Sequence, residues 1–253
     1  MALTIHDFFN PDNIVTRLDE KLYDNADIYI ETARAFARST YQPVFIVDFY
    51  RQNFLYTSGN LRHLCGINAE QLHINDNNLY FDHVPPDEET MLKEIIEKAF
   101  ELLNTFPVEE RTEWILSYYF HLQYSIRKRL VFHKITPLSL SPDGKVWLAL
   151  CTFSMSSRKE AGYPSMRKYK QQEYFHYSLK KHVWYFREGL TLTEMEHDIL
   201  LLSSQGYTMK EIAATLYKSE DTIKSYKRQL FPKLGVKNIT EAVFAAINSD
   251  LLH

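Results

Sequence analysis

Cysteine, glycine and long apolar runs are all scarce in this 253-residue chain, and each scarcity excludes a class of protein. The two cysteines, Cys65 and Cys151, form no CxxC motif and no zinc-ligand spacing, which excludes a disulfide framework and indicates a reducing compartment. Seven glycines supply neither a GxGxxG nor a GxxxxGK[ST] loop for phosphates. No apolar run reaches the roughly 18 residues that a membrane helix needs.

Recognisable catalytic groupings are also missing. No Ser/His/Asp set, carboxylate pair or metal-ligand cluster converges in the sequence, so we expect no enzyme activity, no catalytic residue and no metal site. The opening residues, MALTIHDFFNPD, lack a basic start followed by an apolar core. We therefore expect no signal peptide and a cytoplasmic protein without membrane contact.

The net charge of −3 conceals an uneven distribution. Residues 1–155 contain 14 lysines and arginines against 21 acidic residues, whereas residues 156–187 contain eight against two. A second basic stretch, residues 218–237, contains six against two. Local basic patches on an acidic chain favour a polyanionic partner, although a solvated basic face has the same composition.

The N-terminal part of the chain predicts an α+β fold. Residues 12–39 have helical spacing, and residues 43–57 form an apolar strand, a polar turn and a returning strand. A helix over residues 87–103 follows Pro85-Pro86. Three β-like segments then follow, of which the last two flank the turn Ser141-Pro142-Asp143-Gly144: residues 114–126, 130–140 and 145–155.

This order of two strands, helices and three antiparallel strands resembles a PAS domain. The segment VFIVDF…FLYTSGNLRHLCG and the HVPPDEE before the middle helix support the resemblance, which covers residues 41–156. It implies a five-stranded antiparallel sheet with flanking helices around a small sensing pocket. The nearest counterpart of the flavin-binding segment, Asn60–Cys65, does not fit that motif, so the cofactor is unknown and a small-molecule signal is a candidate partner.

Asp48 raises an alternative, because it follows an apolar strand as the phosphorylated aspartate of a receiver domain does. A receiver needs alternating strands and helices before that point, and the sequence predicts helix there. We therefore interpret Asp48 as an exposed aspartate at a strand end.

Residues 157–189 are interpreted as a basic linker. Gly162 and Pro164 are breakers, and two aromatic runs around Leu179-Lys180-Lys181-His182 predict a small hairpin. Its cations are candidates for contacts to DNA phosphates. A linker face that is merely solvated is an equally good interpretation of the same residues.

The C-terminal residues 190–253 predict four short helices, because capping signals recur at their starts. Thr193 with Glu196, Thr208 with Glu211 and Asn238 with Glu241 have capping-box spacing. Ser219 begins the third helix, which ends at Gly235. This arrangement of four short helices is typical of a helix-turn-helix DNA-binding domain.

The third helix presents one face outward. Ile223, Tyr226 or Lys227, Leu230 and Leu234 have inward spacing, which leaves Lys224, Ser225 and Arg228 to read bases in the major groove. Candidate phosphate contacts, chosen as hydroxyls and amines near helix starts, are Thr208, Lys210, Lys218, Thr222 and Lys227.

The domain resembles the LuxR type of NarL- and FixJ-like regulators. The matching residues are Leu192-Thr193, Glu196, Gly206, Lys210–Ala213, Leu216, Ser219, Thr222–Lys224, Lys233–Val236 and Thr240–Ala242. The resemblance implies that the third helix reads DNA and that the fourth pairs two protomers, with Ala242 and Ala246 as candidate dimer contacts. Pro232 departs from the pattern, and we expect a kink that re-aims only the last turn of the third helix.

The resulting hypothesis is a homodimeric bacterial transcription regulator of double-stranded DNA, with RNA polymerase as a further candidate partner. Its predicted regions are a helical flank (1–40), a PAS-like sensor (41–156), the linker (157–189) and the LuxR-type domain (190–253). Two alternatives stay open: a sigma-factor-like promoter reader, and a ligand-binding module whose helix-turn-helix docks a protein.

Overall fold

The computed structural model describes residues 9, 11–59, 83–124, 126–156, 158–249 and 251–252. The described residues form two compact units. The N-terminal unit comprises residues up to Met155 together with Glu160–Arg187. The C-terminal unit comprises Ser156–Lys159 and the chain from Glu188 onward.

The N-terminal unit is built on one antiparallel sheet of eight strands, in the order β2-β1-β5-β4-β3-β6-β7-β8. The strands are β1 Val44–Asp48, β2 Asn53–Thr57, β3 Trp114–Tyr124, β4 Arg127–Leu140, β5 Val146–Met155, β6 Gly162–Lys168, β7 Tyr174–Ser178 and β8 Val183–Arg187.

Helices belong to both units. Among the described residues of the N-terminal unit, the helices are α1 Ala26–Thr40 and α2 Glu89–Thr105, with 3₁₀ turns at Pro11–Asn13, Glu20–Asn25 and Val108–Glu113. Those of the C-terminal unit are α3 Glu194–Ser204, α4 Met209–Thr215, α5 Glu220–Leu234 and α6 Ile239–Asn248.

The two helices described in the N-terminal unit pack on opposite faces of the sheet. Apolar residues at helical spacing, including Ile95 and Ala99, place α2 over the main core, which also contains Tyr118 and Phe153. On the other face, Ala33 of α1 lies in a second cluster with Trp147. The mixed α/β class with an antiparallel sheet is therefore confirmed.

The predicted strand number of five is wrong, because residues 162–187 continue the sheet as β6, β7 and β8. Met166 and Tyr177 are almost fully buried, and Phe175 packs against the main core. These apolar residues alternate with polar ones, as in any half-buried strand. The hairpin is present as β7–β8, but the segment is part of the sheet rather than a linker.

The N-terminal flank is less helical than its spacing predicts, since the α-helix begins only at Ala26. The hydrogen bonds of Asn13 explain the path of the chain before this helix. Its side-chain amide donates to the Val146 carbonyl at 3.0 Å and accepts from the Val146 N–H at 2.8 Å. This pair of hydrogen bonds fixes the flank to the start of β5. Further along the flank, the Asp19 side chain caps a 3₁₀ turn by accepting a hydrogen bond from the Lys21 N–H.

Asp48 is fully buried, so its interpretation as an exposed residue is wrong. Its carboxylate accepts the Tyr23 hydroxyl at 2.5 Å and the backbone N–H groups of Tyr50 and Arg51 at 2.9 and 3.0 Å. Burial and the hydrogen bond to Asp48 raise the pKa of Tyr23 well above its ordinary value. Asp48 holds the β1–β2 turn, and the antiparallel sheet excludes the receiver alternative.

Three further expectations concern the flavin-motif segment, a metal site and a membrane-spanning helix. Asn60–Cys65, the segment compared with the flavin motif, lies outside the described residues. Across the residues that the structure does describe, no three potential ligands cluster as a metal site would require. The helices in that same part of the chain are all too short or too polar to cross a membrane.

Asn13→Ala is expected to destabilise the N-terminal unit by about 1–3 kcal/mol, because it leaves the buried Val146 backbone groups without their partner. Unfolding in urea, followed by tryptophan fluorescence, measures this unit alone, since Trp114, Trp147 and Trp184 all lie in it. Asn25→Ala is the matched control, because the exposed Asn25 makes no side-chain capping bond. Equal destabilisation by both variants would contradict the role of Asn13.

Candidate DNA-binding surface

Side-chain caps set the start of every helix in the C-terminal unit. Complete capping boxes begin α3, where Thr193 pairs with Glu196, and α4, where Thr208 pairs with Glu211. At the start of α5, the hydroxyl of Ser219 accepts from the Thr222 N–H at 3.1 Å. At α6, the Asn238 side chain accepts from the Glu241 N–H at 2.9 Å. These caps satisfy N–H groups that would otherwise be unpaired and fix the register of each helix.

The inward face of α5 packs into two small apolar clusters. Ile223 is buried with Ile199 and Ile212, and half-buried Tyr226 packs against this cluster. Leu230, about two turns after Ile223, is buried with Leu200 in the second cluster. Residue burial thus fixes which side of α5 faces solvent.

The three residues predicted to read bases are all exposed on α5. Lys224 and Arg228 lie one turn apart with Ser225 between them in sequence, opposite the buried Ile223 and Leu230. The Lys224 ammonium lies 3.2 Å from the Asp221 carboxylate. Both groups are largely solvated, so this pair is weak and can exchange for a base or phosphate.

The predicted phosphate contacts fall near helix starts, but their exposure differs. Lys210 and Lys218 are exposed, and Thr208 is occupied as the cap of α4. Thr222 is half-buried, and its hydroxyl lies 2.8 Å from that of Ser219. Lys227 is also half-buried, and burial lowers the pKa of its ammonium.

Sequence reasoning missed Tyr217, the residue two before the cap of α5. This residue is 93% exposed, and its backbone is left-handed with a φ of 54°. The Lys218 N–H bonds to the Ala213 carbonyl across this turn, which explains the reversal. An aromatic residue between Leu216 and Ser219 was the available signal, because an exposed ring at this point adjoins the predicted groove-reading helix.

Helix α5 continues through Pro232 to Leu234 and ends at the left-handed Gly235, whose φ is 68°. The Val236 N–H then bonds to the Phe231 carbonyl at 2.9 Å. Pro232 therefore does not terminate the helix. The kink itself stays a prediction.

The structure places Ala242 and Ala246 in the core of their own unit. Both are fully buried with Leu200 and Leu230, so their side chains are not available to a second protomer and the choice of these two residues needs correction. Small residues at helical spacing suit close packing within a domain equally well. The exposed apolar residues of α6 are Phe244 and Ile247, which are 37% and 53% exposed.

Glu196 connects the first helix to the end of the third. Its carboxylate accepts from the Thr193 N–H at 2.8 Å and from the Lys233 ammonium at 2.6 Å. Burial by itself raises the pKa of Glu196, but the hydrogen bonds from Lys233 and the Thr193 backbone outweigh burial and hold that pKa below its ordinary value. The capping box and the ion pair therefore share one buried carboxylate.

Taken together, four capped helices with a short turn between α4 and α5 and a solvent-facing basic third helix define a helix-turn-helix domain. Residues 190–246 match the family model of the bacterial regulatory proteins of the luxR family. The C-terminal unit is thus a luxR-type domain, which confirms the resemblance predicted from its sequence.

Two bacterial relatives match this chain over 55 and 60 residues. The chain is 38% identical over 55 residues to the transcriptional activator protein BglJ of Escherichia coli strain K12, a match that covers 22% of this chain and 24% of BglJ. It is 40% identical over 60 residues to YvfU of Bacillus subtilis strain 168, an uncharacterised transcriptional regulatory protein, covering 24% and 30%. The chain thus spans less than a third of the length of these relatives.

A wider but weaker similarity extends over most of the chain. The crystal structure of the phage VqmA–DPO complex covers 88% of this chain and 90% of its own, at 20% identity and a TM-score of 0.33.

Glu196→Gln is expected to destabilise the C-terminal unit by about 1–2 kcal/mol at neutral pH, because the amide still caps α3 but loses the charge that pairs with Lys233. The folded pKa lies below 4.5, the value of the unfolded group, so the contribution is complete above that pH and is lost as pH falls through the folded pKa. Thermal melting followed by circular dichroism should therefore show a gap from wild type that narrows in acid.

Glu194→Gln is the control, since Glu194 is an exposed acid in the same helical turn. A gap that stays constant with pH, or an equal loss in the control, would contradict the role of the ion pair.

Proposed function

We propose that this protein is a bacterial transcription regulator that reads double-stranded DNA in the cytoplasm with its luxR-type domain. One observation carries the proposal: Lys224, Ser225 and Arg228 project from the solvent face of α5 while Ile223 and Leu230 anchor its other face. A major groove accepts a helix of this kind. Lysine and arginine on that helix can donate to guanine O6 and N7.

Phosphate contacts supply the sequence-independent part of the binding. Lys210 and Lys218 are exposed cations near the starts of α4 and α5, where backbone N–H groups and the helix dipole also favour an anion. Tyr217, which directly precedes Lys218, adds an exposed side chain with a hydroxyl. Affinity should fall steeply with salt, because bound cations release counterions from DNA.

The N-terminal unit is proposed to be a PAS-like sensor. Strands β1 to β5 form the antiparallel core of its sheet, and α2 covers an apolar cavity of about 30 Å³ against that sheet. Its lining includes Phe49, Phe100, Trp114, Ile135 and Met166. The cavity has room for about one or two water molecules. A signal of small-molecule size would therefore enter only as α2 or these side chains shift, which offers a route for sensing.

Dimerisation is proposed to use the exposed face of α6. Phe244 and Ile247 are three residues apart and so share one face of the helix. Two protomers that pair in this way place their α5 helices on two half-sites of a palindromic operator.

Lys224→Ala combined with Arg228→Ala should abolish sequence preference, because the pair supplies the donors that face the groove. Selection from a random duplex pool, followed by fluorescence anisotropy on the selected site and on a scrambled one, measures the preference. Each contact contributes about 1–3 kcal/mol to discrimination, so the affinity ratio of the two duplexes should fall at least tenfold.

Lys237→Ala is the control, since Lys237 is an exposed cation that follows α5. An unchanged ratio in the double variant would disprove the assigned reading face, and the absence of any DNA binding by wild type would disprove the function.

Phe244→Ala combined with Ile247→Ala should weaken pairing on DNA, because it removes the exposed apolar surface of α6. Analytical ultracentrifugation with a palindromic duplex should change from two protomers per duplex to one at the same protein concentration. Tyr207→Ala, which removes an exposed ring of 44% exposure elsewhere in this unit, should leave the stoichiometry unchanged. Retention of two protomers by the double variant would place the dimer contact elsewhere.

A further inference from the structure

The three strands that extend the sheet have one face turned away from α2. Met166, Phe175 and Trp184 contact the main core on the α2 side. Because side chains alternate along a strand, Arg167, Tyr174 and Tyr185 lie on the opposite side. We call this opposite side of β6, β7 and β8 the tyrosine–arginine face.

Cross-strand register arranges the tyrosine–arginine face in two rows. The first row runs through Arg167, Tyr174 and Arg187. The second row begins on neighbouring strands and runs through Lys134, Ser117, Ser165, His176 and Tyr185. Neither row contains an acidic residue. Five adjacent strands at about 4.8 Å spacing give the second row a length of roughly 19 Å.

Cations on this face lie over aromatic rings. The Arg167 guanidinium is 4.8 Å from the centre of the Tyr174 ring. Arg187 and Lys181 lie 5.2 and 5.7 Å from the centre of the Tyr185 ring. Ring contacts hold a cation in place without neutralising it, so Lys181 and Arg187 keep their positive charge beside the Tyr185 ring.

Cations elsewhere in the same unit are paired differently. Lys98 lies 2.5 Å from Glu101, and Lys168 lies 3.0 Å from Glu110. Within the described ranges, the exposed Lys181 and Arg187 have no carboxylate partner within ion-pair distance. Two charges that the fold leaves uncompensated, on a sheet face without acids, are complementary to a polyanion.

From this arrangement we propose that the tyrosine–arginine face is a second, sequence-independent DNA-contact surface that binds duplex phosphates. The proposal rests on the DNA-reading function proposed above. A duplex carries one phosphate charge about every 1.7 Å of its axis, so a face of this length meets several phosphates. Guanidinium groups suit phosphate because their planar donors can bind two oxygens at once.

The tyrosine–arginine face and the luxR-type domain are close to each other in sequence. Only residues 188–193 separate Arg187, at the end of β8, from Glu194, at the start of α3. An extended connection of this length spans at most about 25 Å. We therefore expect the contacts of this face to fall on DNA that flanks the operator.

The test compares two duplexes with the full chain. One carries only the selected operator, and the other adds flanking DNA on both sides. Wild type should bind the longer duplex more tightly and with a steeper dependence of log K on log salt. Lys181→Ala combined with Arg187→Ala should reduce that slope by about 0.9 per lost contact and weaken long-duplex binding by roughly 10- to 50-fold near physiological salt.

Three controls test whether the effect comes from the cations of the tyrosine–arginine face. Short-duplex affinity and sequence preference should stay unchanged in the double variant, because α5 is intact. The charge-preserving Lys181→Arg with Arg187→Lys should behave as wild type. Lys21→Ala with Arg38→Ala removes two exposed cations from another part of the same unit and should also behave as wild type.

Two results would overturn the proposal. The first is a wild-type affinity and salt slope for the double variant on the long duplex, which would leave an acidic protein as the partner of this face. The second is an equal loss of long-duplex affinity in the Lys21 and Arg38 control, which would show that the net charge of the unit, and not this face, causes the effect. If wild type binds no duplex at all, the proposed function fails first, and the two failures are thus distinguishable.

Discussion

The position of α5 depends on Glu196, a single buried carboxylate that serves two helices. It completes the capping box at the start of α3 and pairs with Lys233 in the last turn of α5. Ile223 and Leu230 fix the rotation of the same helix by burial in separate clusters. With its far end tied and its rotation set, α5 keeps Lys224, Ser225 and Arg228 on its exposed side, and the proposed DNA reading depends on these constraints.

The N-terminal unit uses its sheet in two ways. Strands β1 and β5 are covered by α1, whereas α2 closes the apolar cavity on the other face. The added strands also bind α2, since the Tyr177 hydroxyl donates to Glu94 at 2.7 Å and the Trp184 indole donates to the Lys98 carbonyl at 3.0 Å. The helix over the cavity is therefore connected directly to the strands that end at Arg187, where the chain leaves for the luxR-type domain.

Helix caps and the exposed side of a helix depend on residues close in sequence and could be predicted. Strand pairing and burial depend on distant segments and could not. The caps at Thr193, Thr208 and Ser219 and the exposed side of α5 follow from spacing alone. Strand β6 and the continuation of the sheet through the predicted hairpin were missed because Gly162 and Pro164 indicate a break, although Gly162 supplies a left-handed backbone, with a φ of 98°, at the start of β6. Burial of Asp48 and Ala242 was missed because distant elements cover them.

Guanine methylation protection tests the central claim most directly, because dimethyl sulfate attacks guanine N7, the major-groove atom that Lys224 or Arg228 would bind. On a selected duplex, the account predicts protection of guanine N7 in each half-site by wild type and its loss in the variant that lacks both cations. Full affinity with every guanine N7 still reactive, or protection that survives loss of both side chains, would contradict the proposal that α5 reads the major groove through this face.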